Sequence, residues 1–267
     1  MYEQFYNLKE NPFNMTPDSR YFYPSEKHQE ALDSLIYAID ERKGFVVITG
    51  EIGSGKTTIC RALLNKLNAN TKVSLILNTH INAKELITMV MEDLGVDPVK
   101  GTKARLLSQL NNFLIEELSH DNNIVLMVDE AQNLSYRMLE EIRMLSNLET
   151  EREKLIQIIL IGQPELREKL RLKSLEQFKQ RINIHYHLSP LNRDETEGYI
   201  KHRLIQASSN GCDIFTAEAI EAIYEYSKGV PRIINSLCDR ALLNGFVKSA
   251  QRIGKRIIEE SIKEKEI

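Results

Sequence analysis

The residues most able to do chemistry are Gly50, Glu51, Ile52, Gly53, Ser54, Gly55, Lys56 and Thr57, which follow the apolar run Phe45-Val46-Val47-Ile48-Thr49. Glycine, four residues, then Gly-Lys-Thr is the spacing of a phosphate-binding loop, provided a strand precedes it and a helix follows. Ile59, Ala62, Leu63 and Leu67 recur at helical spacing, so the helix is expected. Glycines at 50, 53 and 55 let successive N–H groups turn into one concavity at a helix N-terminus, where an anion is favoured. Lys56 supplies a mobile charge for β- and γ-phosphates, and Thr57 a hydroxyl for Mg²⁺. Residues Gly50 to Thr58, with Thr58 closing the set, are therefore expected to hold ATP.

A second chemical stretch is Ile124-Val125-Leu126-Met127-Val128-Asp129-Glu130-Ala131-Gln132. Five apolar residues running into two acids read as a buried strand that delivers carboxylates at its C-terminal end, where open α/β sheets place ligands. Downstream of a phosphate loop, Asp129 is expected to hold Mg²⁺ and Glu130 to polarise the attacking water. A third strand-end polar residue, Gln163 after Leu155 to Ile161, can reach toward the γ-phosphate or that water.

Elements to position these groups are legible in order. A helix capped by Ser25 and ended by Gly44 carries Ala31, Leu32, Leu35, Ile36 and Ile39 on one face. Strand-like runs at 45–49, 72–78, 124–128, 155–161 and 182–188 alternate with helical patterns at 84–94, 104–118, 136–148 and 166–172. That alternation predicts an α/β domain with a parallel sheet. After Ser189-Pro190-Leu191 the pattern turns helical: 193–208, 216–227, 231–247 and 254–264. The expected division is 1–190, a nucleotide-binding α/β domain whose residues 1–43 form an N-terminal segment and helix, and 191–267, a small helical lid. The first 24 residues are rich in Phe, Tyr and Pro, which favours packing over contact with an adenine ring.

The composition excludes other classes. Hydrophobic residues make up 42% and charged residues 27%, as in ordinary globular proteins. No apolar stretch exceeds strand length, and Met1-Tyr2-Glu3-Gln4 lacks a secretory leader pattern. Three distant cysteines, Cys60, Cys212 and Cys238, suit reduced thiols, so a cytoplasmic location is expected, at most peripheral to a membrane through a partner. A net charge of −3 gives no global pull toward nucleic acid. His185 and His187 share a strand face but lack further ligand-spaced neighbours, so metal there is not expected. The cluster Lys248, Arg252, Lys255, Arg256 is followed by Glu259 and Glu260, which favours a solvated helix over a DNA contact.

Taken together, several pieces resemble the AAA+ branch of P-loop ATPases, and within it the general secretion pathway protein A (ExeA-type) family. They are Asn11-Pro12-Phe13 with Tyr21-Phe22-Tyr23, Val128 to Gln132, Ile161-Gly162-Gln163-Pro164-Glu165-Leu166, Gln180-Arg181-Ile182, and Gly229-Val230-Pro231-Arg232-Ile233-Ile234-Asn235. The resemblance implies a five-stranded parallel sheet of order 5-1-4-3-2 with a helical lid. It puts Gln163 at sensor 1, Arg181 at the arginine finger and Arg232 at sensor 2. It also implies an ATP-dependent homo-oligomer, ring or filament, working on an unidentified protein partner near a membrane. Secretion-system members commonly continue into a membrane span and a peptidoglycan-binding region. Neither lies within these 267 residues, so a stand-alone relative or a domain of a longer chain is expected. Two alternatives remain open: a DNA-bound ATPase of transposition-helper or initiator type, and a slow nucleotide-gated assembly module.

Overall fold

The computed structural model describes residues 1–208 and 213–264. Its strands are β1 (Phe45–Gly50), β2 (Thr71–Ile76), β3 (Asn123–Val128), β4 (Gln157–Gly162) and β5 (Ile182–Leu188). The helices are α1 (Tyr2–Phe5), α2 (Glu26–Asp40), α3 (Lys56–Leu64), α4 (Ala83–Asp93), α5 (Lys103–Ser119) and α6 (Tyr136–Leu145). They continue with α7 (Pro164–Leu170), α8 (Glu176–Lys179), α9 (Arg193–Ala207), α10 (Ala217–Ser227), α11 (Pro231–Val247) and α12 (Lys255–Lys263). The short helices α1 and α8 carry too few residues for a periodic signal, and the sequence does not announce them.

The chain forms two compact units. One comprises Glu30–Gly50 and Leu63–Leu188; the other comprises Met1–Gln29, Glu51–Ala62 and Ser189–Ile267. This grouping differs from the expected 1–190 and 191–267 division. The N-terminal segment and the phosphate loop group with the C-terminal helices.

In the first unit the sheet order is β2-β3-β4-β1-β5, every pair parallel, which is the order the resemblance implies. The central strands β1, β3 and β4 are buried at every position, as their unbroken apolar runs require when both faces are covered. The edge strand β5 alternates instead, with Asn183, His185 and His187 exposed between half-buried neighbours. Phe45 and Val47 of β1 enter a core with Leu86, Val90, Leu110, Leu114, Leu139 and Ile142, the inward stripes of α4, α5 and α6. Leu32, Leu35 and Ile39 of α2 are also fully buried. α4 starts with a capping box between Asn82 and Glu85 and stops at Gly95, where φ is +79°.

The second unit has its own core. Tyr2, Tyr6, Phe13 and Tyr21 are buried with Leu204, Ile220, Ile234, Leu237 and Leu242. Arg203 of α9 fastens the N-terminal segment: Nε donates to the Pro12 carbonyl at 2.5 Å and Nη2 to that of Asn14 at 3.2 Å. Its guanidinium also stands 4.7 Å from the Tyr21 ring centroid. Aromatic burial thus explains why residues 1–29 belong with the helices. Cys60 and Cys238 are buried free thiols, whereas Cys212 and residues 265–267 lie outside the described residues.

Candidate functional site: a phosphate loop and an amide-held acid

The loop after β1 is shaped by its main chain. Gly53 and Gly55 have φ of +79° and +99°, values that side chains with a Cβ rarely adopt. Ser54 N donates to Glu51 O at 3.1 Å, and Ile59 N to Gly55 O at 3.0 Å as α3 begins. Lys56 is buried and turns back on the loop, with Nζ donating to Glu51 O at 2.9 Å. The Ser54 hydroxyl is fully buried and has no hydrogen-bond partner among the described residues. Backbone and charge here present a cradle suited to an oxyanion.

Two residues from distant stretches hold this cradle, His28 through its ring and Arg232 through its backbone N–H. His28 Nε2 lies 2.9 Å from Ser54 O, and its Nδ1 lies 2.7 Å from Ser25 Oγ. A carbonyl only accepts, so Nε2 carries the proton and Nδ1 accepts from the serine hydroxyl. Burial lowers the His28 pKa from 6.5, opposed in part by the bond to Ser54. A Cβ on Gly55 would meet His28 Nε2 at 2.8 Å.

Arg232, expected at sensor 2, is placed on the loop. Its backbone N–H donates to Gly53 O at 3.2 Å, and a Cβ on Gly53 would meet Arg232 Cβ at 2.4 Å. The preceding motif explains the placement. Gly229 has φ of +76°, and a Cβ there would overlap the Leu191 carbonyl oxygen at 1.8 Å. Pro231 then opens α11 at its first turn.

Beside the loop, Phe22, Tyr23, His28, Gly55, Thr58, Leu191, Tyr199 and Pro231 line a small cleft. The aromatic segment therefore serves packing through Tyr2, Tyr6, Phe13 and Tyr21, and lines this cleft through Phe22 and Tyr23.

The acidic end of β3 lies in the other unit. Asp129 is buried and its N–H extends the ladder to Ile76 O at 3.0 Å, while its Oδ1 accepts from Glu130 N at 2.8 Å. Glu130 has φ of 51°, left-handed for a residue with a side chain. Its Oε2 accepts from Gln163 Nε2 at 3.1 Å and from Gln132 Nε2 at 2.5 Å. The sequence-predicted pair Glu130 and Gln163 is thus brought together. Neither Gln132, in the stretch Val128 to Gln132, nor His28 has a role that the sequence predicts.

Arg181 is half-buried before β5, its N–H donating to Phe178 O at 3.0 Å. Its charge reaches Glu149, whose carboxyl is held low first by a hydrogen bond from Lys154 and less by Arg181. His185 and His187 both approach the buried Thr49 hydroxyl, at 3.3 and 3.0 Å. No group of three or more metal-ligating side chains occurs among the described residues. The C-terminal basic cluster is neutralised: Lys248 and Arg256 pair with Glu260, Arg252 with Asp213, and Lys255 with Glu259.

Comparison with known proteins agrees with this geometry. Residues 39–170 match the AAA domain family model. General secretion pathway protein A of Aeromonas hydrophila is 41% identical over 256 residues, covering 95% of this chain and 46% of the relative. The chain therefore spans less than half of that relative's length. Among solved structures, Drosophila ORC bound to DNA superposes with a TM-score of 0.74 at 15% identity, covering 100% of this chain and 66% of that one. The Aeropyrum pernix ORC2 protein gives 0.70 at 14% identity, covering 96% and 72%. Such low identity speaks to fold alone, but with the sheet order, the phosphate loop and the curated relative it gives one answer. The chain belongs to the AAA+ P-loop ATPases of the general secretion pathway protein A type.

Proposed function

We propose that the chain binds and hydrolyses ATP, and that turnover drives assembly of its own copies or remodelling of a partner. The observation that carries this reading is the phosphate cradle, preformed by left-handed glycines and gripped by His28 and Arg232. Residues Gly50 to Thr58 hold the phosphates, with Lys56 leaving Glu51 O to meet them. The Thr57 hydroxyl and the Asp129 carboxylate would hold Mg²⁺, which supplies charge neutralisation on the phosphate oxygens. Glu130 accepts a proton from the attacking water, and Gln163 orients that carboxylate. Arg232 reports the γ-phosphate through its seat on the loop. Arg181 acts on the nucleotide of a neighbouring copy.

The partner is read as a protein of an envelope or secretion system, by likeness to the Aeromonas relative, and the location as cytoplasmic. In support, no helix among the described residues is long and apolar enough to cross a membrane. One observation favours a DNA-bound alternative. A cleft of about 290 Å³ on the sheet unit is lined by Arg167, Arg171, Lys179, His185 and two apolar residues, with no carboxylate. Two structural neighbours are also named as complexes with DNA.

Phosphate release with Mg-ATP, with and without duplex DNA, separates these readings. Mg²⁺-dependent turnover that Glu130→Gln abolishes and duplex leaves unchanged supports the first. Strong stimulation by duplex promotes the alternative, and a parent rate at background leaves only a binding module.

A further inference from the structure

Among the described residues no cation pairs with Glu130. Its Oε2 receives two amide donors, from Gln132 at 2.5 Å and Gln163 at 3.1 Å, while Oε1 makes no hydrogen bond among the described residues. The other end of the Gln132 amide is also engaged. Its Oε1 accepts the backbone N–H of Gln163 at 3.0 Å, the N-cap residue of α7, which has no side-chain cap of its own. The backbone around Gln132 is fixed in turn. Lys169 Nζ donates to the carbonyls of Gln132 at 2.5 Å and Leu134 at 2.8 Å. The fit is close, since a Cβ on Gly162 would come within 2.9 Å of Gln132 Oε1.

From this arrangement we infer that Gln132 is a positioning residue, an amide bridge between the α7 N-terminus and Glu130 that leaves Oε1 as the oxygen free to take a proton from water. The inference rests on the reading of Glu130 as the group that activates water. A left-handed residue at a strand end can aim its side chain in several directions, and the two donors select one. A carboxylate misaimed by an ångström loses much of its catalytic value. The bridge must donate at one end and accept at the other, which an amide does and a carboxylate does not.

Single-turnover and steady-state hydrolysis of Mg-ATP test this. Gln132→Met keeps the length and removes the amide; kcat should fall about 10- to 100-fold with KM within about twofold. Gln132→Glu places a like charge beside Glu130 and should be slower still. Gly162→Ala crowds the bridge, and equally the buried Leu166 of α7, without touching Glu130, and should lose kcat in the same direction, by less. In a Glu130→Gln background, where no rate is left to read, Gln132→Met should leave ATP affinity unchanged, because the bridge serves only the carboxylate. Parent-like kcat in folded Gln132→Met overturns the inference. So does a loss of ATP affinity on adding Gln132→Met to Glu130→Gln, which a merely structural role would give. Should Gln132→Met fail to fold, Gly162→Ala decides: a kcat loss at constant KM supports the bridge, and a parent-like rate overturns it. Failure of the underlying reading looks different, since Glu130→Gln alone would then retain turnover.

Discussion

Around Gly53-Ser54-Gly55 the restraints end on main-chain atoms. His28 meets the Ser54 carbonyl, the Arg232 N–H meets the Gly53 carbonyl, and Lys56 waits on the Glu51 carbonyl. Around Glu130 they end on side chains, with two glutamine amides converging on one carboxylate oxygen. A loop whose shape is its backbone resists change, and substitutions there disturb binding and fold together. A carboxylate aimed by amides can be re-aimed one group at a time, so on the proposed function changes there should touch turnover and leave binding alone. On the proposed function, the loop is a rigid part that holds ATP and Glu130 an adjustable part that reacts.

Arg181, on the proposed function, extends the adjustable part and gives a large expected effect. Arg181→Ala should bind ATP normally and hydrolyse it about 10³-fold more slowly, the value of an arginine supplied in trans. Activity per chain should rise with concentration, and mixing Arg181→Ala with Lys56→Ala should restore some of it. Flat specific activity with no recovery on mixing assigns Arg181 a structural or intramolecular role.

Gly53→Ala tests the rigid part. At φ of +79° and with Arg232 Cβ 2.4 Å away, the added methyl must displace α11's first turn. A loss of about 1–3 kcal/mol in stability, with weakened nucleotide affinity, is expected by chemical denaturation and calorimetry. Unchanged stability and affinity would mean that the loop is not held by this contact.

The smallest effect concerns His28. Burial lowers its pKa below 6.5, so the unfolded chain takes the proton more readily. Stability contributed by neutral His28 is complete above about pH 6.5 and declines as pH falls toward the lowered value, by at most about 1.4 kcal/mol per pH unit. His185 and His202 are shifted the same way, so the comparison must be with His28→Gln. The stability gap between parent and variant should narrow between about pH 7 and pH 5.5. A gap that stays constant would show that His28 does not titrate against folding.

Much of this is legible in the chain. The phosphate loop announces itself because its spacing is local and flanked by an apolar strand run and a helical stripe. The buried strands β1, β3 and β4 read as continuous apolar runs, and the strand order follows from the resemblance. Pro231 opens its helix as its position predicts. Less legible are groups whose roles come from distant pairing. Nothing about His28 in a helical pattern says that its ring reaches a carbonyl at position 54. Gln132 sits in a quoted motif, yet its bridge exists only because Glu130 is left-handed and β4 ends beside it. Aromatics at positions 2–21 foretell burial but not the surface that buries them, which is why the N-terminal segment groups with α9–α12.

Calorimetric titration of ATP into the parent chain, Lys56→Ala and Glu130→Gln tests the central claim most directly. The account predicts that Lys56→Ala loses measurable binding while Glu130→Gln binds as tightly as the parent and releases no phosphate. Equal affinity for Lys56→Ala and the parent, or turnover retained by Glu130→Gln, would contradict the division between a part that holds and a part that reacts.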